Sequence, residues 1–123
     1  MNLTEIHSQL SNSFMLYFGI AGALGLVAYV RGKNMQASYW GILILGELLI
    51  VVQGVLGFTL SAQGFSPARG VHILYGIVSL ITLPGYFAIS KGRDDNRATF
   101  AYGLICLFLV GVGMRATSTA IFP

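Results

Sequence analysis

Apolar residues run along this chain in four long blocks joined by short polar stretches, and the polar positions collect between the blocks instead of recurring around them. The blocks are Phe14 to Val30, Tyr39 to Leu60, Gly70 to Ser90 and Thr99 to about Ala116. A helix rising about 1.5 Å per residue needs roughly 20 apolar residues to cross a hydrocarbon core about 30 Å thick, so each block has the length of one crossing. A soluble helical bundle would need a polar face on every helix. An outer-membrane barrel would show alternating runs of about ten residues. Neither pattern is present. The sequence therefore predicts an all-α polytopic membrane protein, an antiparallel four-transmembrane-helix bundle over residues 14–123 with spans at about 14–30, 39–60, 70–90 and 99–116. Residues 1–13 form a short interfacial amino-terminal segment, in which Leu3, Ile6, Leu10 and Phe14 recur at helical spacing and Thr4 is a candidate cap.

Composition agrees: 55% of the 123 residues are hydrophobic and 9% are charged, too apolar for water to be the main solvent. The formal charge of +3 arises in the joints and not on a basic face, which gives nucleic-acid binding no support. Charge placement does bear on orientation. Arg31 and Lys33 follow the first block and Lys91, Arg93 and Arg97 follow the third, while the other side has Arg69 and Arg115. The excess of cations places loops 31–38 and 91–98 in the cytoplasm and both termini outside, in a bacterial inner (plasma) membrane. Met1 to Ser13 lacks the basic stretch and small-residue cleavage pattern of a signal peptide, so the first helix is expected to stay. The lone cysteine, Cys106, lies inside the fourth block and is read as a packing residue.

Lipid does not press helices together, so small residues that let backbones approach mark packing faces. Gly19, Gly22 and Gly25 line one face of the first span, and Gly46, Gly54 and Gly57 punctuate the second. These faces suit either another helix of the chain or another membrane subunit. Pro84 removes the donor owed to the Leu80 carbonyl and predicts a kink in the third span.

Few polar residues lie inside the blocks. Glu47 stands near the middle of the second span, where an unpaired carboxylate is costly, and Gln53 lies farther along the same helix, offset by a third of a turn. Glu47 suits a structural or assembly contact, or proton handling; Gln53 suits an interhelical hydrogen bond. His72, Tyr75, Gly76 and Ser79 stand at i, i+3, i+4 and i+7 and share a stripe at the start of the third span. A neutral imidazole with a glycine one turn away is what a haem ligand needs, and the stripe makes Tyr75 and Gly76 candidate haem environment. His7 is the second histidine, on the same side of the membrane under this topology. Arg115 is a candidate outer-interface anchor or partner of a haem propionate. The plain alternative has His72 hydrogen-bonded to a tyrosine or to a loop carbonyl at the interface.

Val52-Gln53-Gly54-Val55-Leu56-Gly57, followed by a short joint and His72 at the head of the third span, resembles one four-helix half of the haem A synthase family. That resemblance implies a four-helix bundle whose histidines bind haem. The family carries a histidine three positions after a helix glutamate. Ile50 holds that place after Glu47, so enzymatic haem oxidation is not carried over. Small multidrug transporters are also similar in having four helices and one embedded glutamate, theirs on the first helix.

Three functions follow. The first expectation is a small non-catalytic subunit or assembly factor of a respiratory or photosynthetic membrane complex, meeting lipid and other membrane subunits through its glycine-lined faces. The alternative is a membrane cytochrome or haem-handling protein that holds haem b through His72 and His7. The third is a proton-coupled transporter working through Glu47.

Overall fold

The computed structural model describes residues 2–64 and 70–121, with side chains to 118. Arg69, counted above among the cations, lies outside the described residues. Within them the chain is four α-helices without a strand: α1 (Leu3–Val30), α2 (Ala37–Ala62), α3 (Val71–Ile89) and α4 (Asn96–Ile121). All four are long and apolar enough to cross a membrane. The fold is the all-α four-helix bundle that the block pattern predicts.

Several boundaries differ from that reading for local reasons. Residues 3–13 and the first span are one unbroken helix, and its cap is Asn2, not Thr4: Asn2 Oδ1 accepts the Glu5 backbone N–H at 2.8 Å. Leu3, Ile6 and Leu10 are half-buried, continuing the packed face that leads to buried Phe14. At the other end of the chain α4 begins early because Asp95 Oδ1 accepts the Ala98 N–H at 2.9 Å. Arg97 thus belongs to its first turn and Arg115 to its body. The basic joints shorten to 31–36 and 90–95.

These joints are fastened to one another. α1 closes on Gly32, whose φ of 72° few other residues adopt easily; Gly32 N–H donates to Tyr29 O and Lys33 N–H to Ala28 O, both at 2.9 Å. The Lys33 carbonyl then accepts from Asn96 Nδ2 at 2.9 Å and from Thr99 Oγ1 at 3.0 Å, and Met35 N–H donates to Asp94 O at 2.8 Å. Below them Trp40, Tyr86, Phe87 and Tyr102 interlock edge to face, with Tyr86 and Tyr102 centroids 4.9 Å apart.

The helices form a ring in which each packs on its chain neighbour and α4 returns to α1; the diagonal pairs do not pack backbone to backbone. The α4–α1 interface is the most extensive and α2–α3 the slightest. Glycines explain the difference. A Cβ at Gly25 would stand 2.9 Å from Gly103 Cα, and one at Gly103 would stand 3.1 Å from the Leu26 amide nitrogen, so these backbones touch where side chains would hold them apart. Gly22 meets Leu107 and the Gly103 carbonyl in the same crossing. Gly46 admits the Phe18 ring, and Gly113 admits Phe14. Phe18, Tyr102, Cys106 and Leu109 are buried in the core that results. Tyr39 reaches across it to donate to Ala21 O at 2.8 Å. α3 runs through Pro84 as one helix, with Thr82 Oγ1 donating to Val78 O nearby.

Candidate functional site

At the end of the bundle opposite the basic joints, α1 and α3 meet through side chains alone. His7, on the second turn of α1, and His72, on the first turn of α3, bring their rings to a centroid distance of 6.3 Å at an interplanar angle of 76°. Both are half-buried. Their proximity follows from the ring order of the helices: a diagonal pair leaves room between backbones that only long or flat side chains span.

His72 has a fixed tautomer. Its Nδ1 lies 2.6 Å from the Ala116 carbonyl oxygen of α4. A carbonyl only accepts, so Nδ1 carries the proton and donates, and in the neutral ring Nε2 keeps its lone pair for another partner. The partner of His72 is a carbonyl, as the plain alternative has it, but one within α4 and not in a loop, and the same bond is the support that a ligating histidine commonly has behind it.

His7 is held differently: Gln53 of α2 interacts with its side chain, while His7 Nδ1 is buried without a hydrogen-bond partner. A Cβ at Gly57 would lie 3.5 Å from His7 Cε1 and 3.9 Å from Nε2, so the ring faces α2 at a position with no side chain. One turn farther into the bundle Ser11 Oγ and Thr117 Oγ1 are 3.0 Å apart. Thr117 donates its proton to Gly113 O at 2.9 Å, which leaves Ser11 as donor in that pair. All four helices therefore contribute: His7 and Ser11 from α1, Gln53 and Gly57 from α2, His72 from α3, and Ala116 and Thr117 from α4.

The remaining candidates stand around this cluster. Tyr75 is half-buried one turn from His72. Gly76 is exposed, and a Cβ there would meet no atom within 4 Å, so the space it leaves opens on the outside of α3. Ser79 is buried and donates to the Gly76 carbonyl at 2.8 Å. Arg115 is exposed and adjacent in sequence to Ala116. Glu47 is half-buried, its Oε1 sheltered and without a hydrogen-bond partner. Six residues from Gln53, it lies roughly 9 Å away along the α2 axis, outside the histidine pair.

The chain matches no family model, no curated protein and no solved structure. Its chemistry must be read from the donors themselves. Among the described residues no three His, Cys, Asp or Glu side chains gather to hold a metal ion. Two neutral imidazoles alone fall short of the four donors zinc takes in a structural site. They are the axial complement of an iron already held by a porphyrin. Nitrogens about 2 Å from a shared metal would put two imidazole centroids roughly 6 Å apart, close to the separation seen here. Two rings in edge-to-face contact occupy a similar distance, and the Nε2–Cε1 edge of His7 is turned toward Gly57 of α2.

Proposed function

We propose that this protein is a small haem b-binding membrane protein, a cytochrome or haem-handling protein, in which His72 and His7 would hold the haem. The observation that carries the reading is the meeting of the two histidines across the bundle, 6.3 Å apart, with His72 Nδ1 engaged by Ala116 O so that Nε2 is free to coordinate. Bound haem supplies an iron that can change oxidation state. The protein's part is to present two neutral nitrogens and to fix the His72 tautomer. Tyr75 lies one turn from His72, and Arg115 precedes Ala116, whose carbonyl His72 engages.

The cation excess at the joints 31–36 and 90–95 supports a cytoplasmic position for that end, and in that orientation the histidines would lie near the outer face of a bacterial inner membrane. Of the glycines that suited another subunit, Gly22, Gly25 and Gly46 are covered by Leu107, Gly103, Tyr39 and Phe18 of the same chain, while Gly54 is open.

The test is titration of haem into the full-length apoprotein in mild detergent. The reading expects a Soret band that saturates at one haem per chain, and no saturable band for His72→Ala that has kept its helical circular dichroism. A titration indistinguishable from that of detergent alone would overturn it.

A further inference from the structure

The joint between α1 and α2 carries charge that the fold leaves unanswered. Arg31 and Lys33 are exposed, and residues 31–36 contain no carboxylate. Among the described residues neither cation pairs with an acid, whereas in the other basic joint Arg93 is taken up by Asp95 at 2.6 Å. The backbone that carries them is held in place. Arg31 N–H donates to Val27 O at 3.1 Å and Lys33 N–H to Ala28 O at 2.9 Å, while the Lys33 carbonyl accepts from Asn96 and Thr99 of α4.

Beside these cations α1 offers an apolar surface. Leu26, Val27, Val30 and Arg31 line a shallow, open groove of about 270 Å³, apolar except at Arg31. Ile20, Leu24, Val27 and Val30 are exposed and recur at intervals of three and four, so the apolar row continues from Arg31 along one face of the helix. At about 1.5 Å per residue, Ile20 to Arg31 spans roughly 16 Å, one leaflet of a hydrocarbon core about 30 Å thick. A small anion from water could meet the cations but would leave the row unused. A molecule with an anionic phosphate head and a hydrocarbon tail answers both, since a guanidinium grips phosphate through paired hydrogen bonds and basic clusters at a membrane surface attract anionic lipid.

We propose that this end of α1 is a binding site for one anionic phospholipid, its phosphate held by Arg31 and Lys33 and an acyl chain laid along Val30, Val27, Leu24 and Ile20. The histidines lie at the opposite end of the bundle, so the site stands apart from the haem reading.

The experiment adds phosphatidylglycerol or phosphatidylcholine with identical acyl chains to the full-length protein in mild detergent and counts bound lipid by native mass spectrometry. Phosphatidylglycerol should saturate at one per chain at concentrations where phosphatidylcholine does not bind, and inorganic phosphate in large excess should not displace it. Arg31→Gln should weaken its binding about fivefold, and Lys91→Gln, which removes the same charge from the other joint, should leave it unchanged. Val30→Glu sets a carboxylate beside Arg31 at an exposed position and should also remove the preference. Equal binding of the two lipids would overturn the proposal, as would displacement by inorganic phosphate. Equal losses in Arg31→Gln and Lys91→Gln, or a preference kept in full by Arg31→Gln or Val30→Glu, would overturn it too.

Discussion

Gly25 and Gly54 occupy similar places in the sequence, each a glycine in the middle of an apolar helix, and the fold treats them oppositely. At Gly25 a Cβ would press on Gly103 Cα at 2.9 Å and on the Tyr39 hydroxyl that donates to Ala21 O; at Gly54 it would meet nothing within 4 Å. Gly25→Ala should therefore separate α1 from α4, disturb the Tyr39 bond and destabilise the bundle by about 1–3 kcal/mol. Gly54→Ala should stay within about 0.5 kcal/mol of the unaltered protein. Thermal unfolding of both variants in one detergent checks the contrast, and equal losses would contradict it. Residue type reveals only part of this. The glycines of α1 were legible as a packing face, but their partner Gly103 was not, because no other glycine of α4 stands three or four residues from it. The support of His72 was hidden for a like reason: its acceptor is the Ala116 backbone carbonyl, a group that every residue has.

At the scale of elements, the apolar blocks fixed the number and course of the helices, whereas the ends obeyed local capping that hydropathy cannot register. Asp95 shows this best. Its carboxylate is hydrogen-bonded by the Arg93 guanidinium at 2.8 Å, accepts the Ala98 N–H, and is held below the usual carboxylate range, by the Arg93 bond first and the backbone bond second. A depressed folded value stabilises the fold above the ordinary titration range and loses that contribution as pH falls through the folded value. Asp95→Ala should lower the unfolding temperature at neutral pH. The gap between variant and unaltered protein should close as pH drops below about 4. A gap that did not change with pH would show that the Asp95 charge contributes nothing. In α3, Pro84→Ala restores a donor to the Leu80 carbonyl and should leave the helix no less stable; a large loss on unfolding would mean that the proline shapes packing in a way its exposed position does not show.

The whole molecule is a ring of four helices, tightly closed between α1 and α4, bolted at one end by joints that share the Lys33 carbonyl, and bridged at the other by two histidines on diagonal helices. The sequence placed both histidines at one end through topology alone, and the fold brings their rings together. It could not supply the acceptor of His72, which depends on where α4 passes. The measurement that bears most directly on the central claim is a reduced-minus-oxidised absorption spectrum of the full-length protein, expressed with haem in excess and purified in mild detergent. The account predicts a b-type difference spectrum at one haem per chain that vanishes in His72→Ala. A well-folded, haem-replete preparation without that signal, or one whose signal survives the loss of His72 unchanged, would contradict it.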